Sequence, residues 1–341
     1  MASIRQIAKA AKTSSATVSR VLNNDASFSV SPETAAKVRQ AAAELGYIKP
    51  AQNSRGLQII TTQSQAMELN DPYFRQLRLA IEDQARRQAM KIAPTIRYDG
   101  SQREVSLASL ATFGGLIVIG GFSQAAIQAF RDVNANLVVI DDPYVPANVD
   151  GVYSDLRGYT AQLLTRWYAQ HQAPIAYIGG QRTVYGLNGE TQTDDQELRY
   201  LGYCDAAKQN AQPAITSLAG WSPANGEQQA TWYLNLNPRP QAVMLGADPL
   251  AIGFIRGLAA AGLPLSDYPE MLSFDDSEMA GFTTPSLSSV QLPVDWFGKN
   301  AVRLLAERTD GRQNVVHMMI QPRLILRESL PKLAEISKLI E

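Results

Sequence analysis

In the stretch SSATVSRVLNN, residues 14–24, small and polar side chains surround three aliphatic ones, and one guanidinium stands among them. If Val18, Val21 and Leu22 face inward at helical spacing, then Ser15, Ala16, Ser19 and Arg20 face outward. Small side chains let a helix end approach base edges closely. Arg20 can donate two hydrogen bonds to a guanine, while Ser14 and Ser19 can bond phosphates and fix the register. A second set of reactive types lies far downstream: Asp141, Asp275 and Arg199, with the aromatic Phe74, Tyr153 and Trp221. Carboxylates and guanidinium groups bond pairs of hydroxyls, and aromatic rings cover the apolar faces of sugars. The plainer readings are that an Asp ending a strand caps a helix and that Trp221 belongs to a core.

Other chemistries find little support. The two histidines, His171 and His317, are far apart in sequence, and the single cysteine, Cys204, excludes an internal disulfide framework. Cys and His spacings suited to a metal are absent. GLIVIGG ends in glycines without a phosphate-binding lysine, and Gly179-Gly180 lacks a dinucleotide fingerprint. No catalytic residue, metal or cofactor is expected. No apolar run approaches the roughly 20 residues of a membrane span, and the first residues hold no long apolar segment of an export signal. These features point to the cytoplasm and to no membrane partner.

The elements that must position the two sets follow from pattern. Residues 1–58 carry eight basic and three acidic side chains, a charge of +5, whereas the remaining residues sum to −6. A basic head on an acidic body suits a polyanionic partner. Ser3 with Gln6 forms a capping box for a first helix with Ile4, Ile7, Ala8 and Ala11 on one face. Ser14 caps the second. Ser31-Pro32 opens a third, with Ala35, Val38, Ala42 and Leu45 inward and Gly46 as its stop. The short connection between the first two is helix-turn-helix geometry, which lays the second helix in the major groove. Beyond residue 58, the apolar runs LQIITT, KIAPTIRY, GLIVIGG, LVVIDD, PIAYIGG, AITSLAG, QAVMLGA and MLSFDD alternate with helical stretches. Parallel sheets covered by helices are expected, split into two lobes on grounds of length. Ligands bind such sheets outside the carboxyl ends of strands, where Asp141-Asp142, Gly179-Gly180, Asp248 and Asp275-Asp276 fall.

With SIRQIAKAAKTSSATVSRVLNN, VSPETAAKV and AAELGYIKP, the head resembles the LacI/GalR family of bacterial transcriptional regulators. DPYFRQLRLAIE, VYSDLRGY, RYLGY, LGADPLAIGFIRGLAAAGL and LSFDDSEMAGFTTPSLSSVQLP extend the resemblance through the body. It implies an all-α helix-turn-helix head (1–49), a hinge (50–58), an α/β two-lobed periplasmic-binding-protein-like body that binds effector and dimerises (59–329), and a tail (330–341). It implies base reading by Ser15, Ala16 and Arg20 and phosphate contacts from Ser14, Ser19, Asn23 and Thr34, with Ser3 in the same DNA-facing set. It implies an effector cleft lined by Arg199, Asp275, Trp221 and Tyr153, with Asp141 and Phe74 on the N-terminal side.

The implied protein is a homodimeric repressor of a sugar operon. It binds a pseudo-palindromic double-stranded operator and answers to a small-molecule effector. The polar insertion after IGG and the long loop NNDASFSVS are similar to the galactose and β-galactoside regulators of lactic bacteria.

Three departures stand out. The hinge YIKPAQNSRGLQ matches the family's pattern at Pro50, Arg55 and Leu57 only with one extra residue after Tyr47, lacks Asn after Pro50, and carries Gly56, which disfavours helix. Leu57 is nevertheless expected to wedge into the minor groove, the alternative being that it opens the next strand. Ala247 stands where the family has an Asn that bonds a sugar hydroxyl. Leu333, Ile336 and Ile340 make an apolar stripe in the tail, but twelve residues are short for a coiled coil, so a frayed end is expected ahead of a tetramer. The competing readings are a sugar-binding protein without DNA affinity and a regulator answering to a phosphorylated carrier protein.

Overall fold

The computed structural model describes residues 4–22, 30–45, 56–98 and 106–330. Ser3, Asn23, most of the NNDASFSVS loop, Pro50, Arg55 and the tail from 331 onward lie outside the described residues.

The head is three helices, α1 (Ile4–Ala10), α2 (Ser15–Leu22) and α3 (Pro32–Glu44). Lys12 turns the chain between α1 and α2 with φ of 49°, and the amide of Thr13 returns to the carbonyl of Ala8. Ser14 caps α2 by accepting from the amide of Thr17, and Ser31 caps α3 by accepting from that of Thr34. Ile7, Ala8, Ala11, Val18, Val21 and Val38 are the main buried side chains of this small core. Leu45 departs from expectation: it is 42% exposed, and Ala41 takes the inward place beside Ala42. Leu45 falls beyond the last turn of α3, where the helical period no longer aims its side chain.

The N-terminal lobe runs through β1 (Leu57–Thr61), α4 (Gln65–Asn70), α5 (Pro72–Arg87), β2 (Ile96–Arg97), α6 (Leu107–Leu110), β3 (Gly115–Ile119), α7 (Gln124–Val133), β4 (Leu137–Ile140) and β5 (Asp150–Tyr153). The C-terminal lobe follows with α8 (Leu156–His171), β6 (Ile175–Gly179), β7 (Arg182–Tyr185), β8 (Thr191–Asp194), α9 (Leu198–Gln209), β9 (Ile215–Leu218), α10 (Pro223–Leu234), β10 (Ala242–Leu245), α11 (Asp248–Ala260), β11 (Glu270–Asp275) and β12 (Ser288–Gln291). The chain then returns to the first lobe as α12 (Val294–Thr309) and β13 (His317–Met319), and ends in the second as β14 (Arg323–Ile325).

The sheet orders are β13-β5-β4-β3-β1-β2 and β14-β12-β11-β10-β6-β9. All neighbours are parallel except β12 and β14. Strands covered on both faces read as unbroken apolar runs, and β1, β3, β4, β6 and β10 are buried at every position. One face of the first sheet packs on α5 and α12, the other on Leu110, Ile127 and Phe130. In the second lobe Trp167 and Tyr203 cover one face, and Tyr233, Phe254 and Leu258 the other. Each such large side chain contributes roughly 1.5–3 kcal/mol by leaving water.

Two expectations are corrected here. KIAPTIRY yields only the two-residue β2, since Pro94 removes a ladder donor. Leu57 is the first residue of β1, pairs with Gly115, is 3% exposed and packs in the body's core. It cannot wedge between DNA bases without leaving that core, and the body begins two residues earlier than expected.

A cleft between the lobes

The strand ends of both sheets converge on a cavity of about 380 Å³, inside the roughly 300–1,000 Å³ range of small-molecule sites. Asp141 follows β4 with φ of 64°, and Asp275 ends β11 with φ of 100°. Non-glycine residues held there cost on the order of 1–3 kcal/mol each, a strain that recurs at functional sites. Both carboxyl groups line the cavity. Behind them Asp248 fixes the turn after β11: it accepts from the amide of Ser277 at 2.6 Å and the hydroxyl of Ser289 at 2.8 Å.

Arg199 enters from the first turn of α9. Its Nε donates to Glu197 at 2.7 Å and its Nη1 to the carbonyl of Gly246 at 2.7 Å. The guanidinium lies 4.6 Å from the Trp221 ring centroid. Glu197 also accepts from Tyr177 at 3.0 Å and caps α9 through the amide of Tyr200. Trp221 in turn lies over two strand-end glycines: a Cβ at Gly180 or Gly246 would come within 2.3 Å or 2.8 Å of its ring.

Among the described residues, five carboxylates line the cavity (Asp71, Asp141, Asp142, Glu197, Asp275) against two guanidiniums, Arg182 and Arg199. Burial pushes Asp141 up to about 7 and Asp248 up to about 6. It also lifts Asp275 well above the usual carboxylate range, with Asp71 and Asp248 adding repulsion. Burial works against the charge of Arg199, but Glu197 beside it holds the guanidinium protonated. The hydroxyl of Tyr73 is buried in the cavity wall beside the Asp141 carboxyl.

The first model profile that matches is that of a periplasmic binding protein-like domain, over residues 167–330, and the second that of bacterial regulatory proteins of the lacI family, over residues 3–49. The chain is 28% identical to the HTH-type transcriptional repressor MelR of Bacillus subtilis (strain 168), over 96% of this chain and 97% of the relative. It is also 28% identical to the HTH-type transcriptional regulator GalR of Lacticaseibacillus casei, over 96% and 99%. The chain carries a lacI-family helix-turn-helix domain followed by a periplasmic binding protein-like domain. Its fold is that of a transcriptional regulator CelR–cellobiose complex, with a TM-score of 0.70 at 22% identity over 96% of this chain and 100% of the other.

Such a head is a helix-turn-helix DNA-binding domain of transcriptional regulators, and it presents α2 accordingly. Ser14, Ser15, Ala16 and Arg20 are exposed, Ser19 and Thr34 half-buried. The hydroxyl of Ser14 is engaged with the amide and hydroxyl of Thr17, and Thr34 pairs with Ser31. Phe74, Asp141, Arg199, Trp221 and Asp275 come together in the cleft, but Tyr153 does not. Its ring packs beside the core of the first lobe and its hydroxyl lies 3.5 Å from His317 Nδ1, because the alternation along β5 turns that side chain away. Sequence reasoning missed Asp71, Tyr73 and Glu197. Asp71-Pro72 carried the signature of a helix start, and the Asp71 carboxylate does cap α5. Among the described residues no His, Cys, Asp and Glu cluster could hold a metal, and no helix is long and apolar enough to cross a membrane.

Proposed function

We propose that this regulator represses a sugar-utilisation operon as a homodimer, and that an uncharged sugar in the cleft, such as galactose or a galactoside, releases it from a pseudo-palindromic operator. The observation that carries the reading is the convergence of Arg199, Glu197, Trp221, Asp141 and Asp275 on one inter-lobe cavity. That set offers paired donors and acceptors beside an aromatic face, the requirement of a pyranose. The excess of carboxylates, with both guanidiniums already paired to acids, disfavours phosphorylated ligands. MelR and GalR, similar over their full lengths, are a repressor and a regulator.

Arg20 with Ser15 and Ala16 reads bases, while Ser14, Ser19 and Thr34 approach phosphates, and Ser3 and Asn23 add further DNA contacts. Two-fold symmetry of the dimer mirrors the operator. The dimer face includes the exposed Met279 and Phe282, 56% and 74% accessible in the single chain. Sugar shifts the equilibrium between two lobe arrangements by its differential affinity for them, and the hinges transmit the change.

The test is fluorescence anisotropy on DNA from upstream of the gene, with and without galactose and lactose. Tight, salt-sensitive binding relieved by either sugar supports the reading. Tight binding indifferent to a broad panel of uncharged sugars overturns the effector assignment.

A further inference from the structure

The cleft contains its recognition chemistry twice. The inner copy is Arg199 paired to Glu197 and lying over Trp221. The outer copy is Arg182, on the first strand of the β7–β8 hairpin. Arg182 bonds Asp194 at 3.1 Å and Asp142 at 3.5 Å, and its guanidinium lies 4.4 Å from the centroid of the Tyr144 ring. Arg182, Asp142 and Tyr144 line the same cavity as Arg199, Glu197 and Trp221. The two sets are joined at the short segment leading into α9: the Tyr144 hydroxyl donates to the carbonyl of Gln196, whose neighbour is Glu197.

The hairpin is an antiparallel pair outside both main sheets. It belongs to the C-terminal lobe by sequence yet is bonded to the N-terminal lobe. The amide of Tyr185 donates to the carbonyl of Gly121 at 2.8 Å, and the amide of Ser123 to the carbonyl of Tyr185 at 2.9 Å. Arg182 is thereby held at the cavity wall by both lobes.

From this duplication we infer that the cleft takes a disaccharide, with one ring on the Arg199–Trp221 set and the second on the Arg182–Tyr144 set. The hairpin then determines which sugars the regulator answers to. The inference rests on the sugar reading above and deepens it. It also accounts for Ala247: a site that grips a second ring can hold its ligand without the amide that Ala247 lacks.

The experiment is titration calorimetry of the full-length protein with galactose, glucose, lactose, melibiose and cellobiose, in wild type, Arg182→Ala and Tyr144→Ala. A hydrogen bond to a charged group is worth enough to change affinity by roughly tenfold or more. At least one disaccharide is expected to bind wild type about tenfold or more tightly than either of its own monosaccharides, and each substitution should collapse that ratio toward one. Equal affinity for a disaccharide and its monosaccharides in wild type overturns the outer subsite while leaving the sugar reading intact. So does a variant that weakens both classes equally, which marks the hairpin as merely structural. No binding of any of the five overturns the sugar reading and this inference with it.

Discussion

The carboxylate of Glu197 holds the guanidinium of Arg199 at 2.7 Å, although the two side chains are only 8% and 17% exposed. A pair so enclosed is costly to break from one side, because the abandoned charge stays buried. Arg199→Ala is expected to abolish the effector response and to lower body stability by about 3–5 kcal/mol. Operator binding should persist below the new melting temperature. Arg199→Lys keeps the charge but loses the planar fork, so it should retain more stability and still weaken sugar binding. Calorimetry with the best sugar separates the two effects, and unchanged sugar affinity in the lysine variant would remove Arg199 from the site.

Arg20 stands exposed on α2, the expected recognition helix. Arg20→Ala should cost about 1–3 kcal/mol in operator affinity and relax preference at one base position. Anisotropy on a set of single-base operator variants checks this. An equal loss on every DNA sequence would make Arg20 a phosphate contact instead.

Asp141 and Asp248 keep protons in the folded chain to about pH 7 and about pH 6, whereas unfolded aspartates release theirs near pH 3.9. The folded state therefore binds more protons in this window. Stability contributed by these groups falls as pH rises from about 4 to about 7, then levels off. Thermal melts across pH 5–8 should show the decline. Asp141→Asn should flatten it and raise the melting temperature at pH 8, while weakening sugar binding.

Asp150 lies wholly buried at the start of β5 and accepts from Arg308 at 2.8 Å and from Arg312 at 2.5 Å. Burial opposes its charge, but the two guanidiniums hold the carboxyl below its ordinary range. Asp150→Ala leaves two partly buried cations facing each other and should cost about 3–5 kcal/mol. Denaturant titration measures it; a loss below 1 kcal/mol would show that water replaces the acid.

Phe282→Glu should convert the dimer to monomer and weaken operator binding, because two half-sites would no longer be held by one particle. Sedimentation decides the matter, and an unaltered dimer would move the interface elsewhere.

Much of this was legible in sequence because it rests on local rules. The caps at Ser14 and Ser31 and the apolar runs that became β1, β3, β4 and β6 follow from near neighbours alone. Asp141 and Asp275 could be named because strand ends are marked by where apolar runs stop, and Arg199 and Trp221 because of their residue types and the family resemblance. What failed depends on geometry at a distance. Tyr153 was turned aside by pleat alternation, and Leu57 was claimed by the strand ladder. The β7–β8 hairpin carried a signal in Asn188-Gly189, a pair suited to tight turns. Nothing local announced that its arm would bond the opposite lobe. The strands β12, β13 and β14 went unread because each is short and their partners lie far away in sequence.

The return of the chain into the first lobe bears on how the protein is made. The sheet begun at Leu57 is closed by His317–Met319, and its covering helix is Val294–Thr309. During synthesis the head leaves the ribosome ahead of the body, whereas neither lobe is finished until β13 and β14, residues 317–325, have been made. A nascent chain would thus own a DNA-binding surface well before it owns a sensor. A message truncated before residue 317 would encode a head joined to a first lobe without its sheet edge, and without the Arg308 and Arg312 anchors if it ended before residue 308. Such fragments would be poor candidates for regulated binding and good ones for proteolysis.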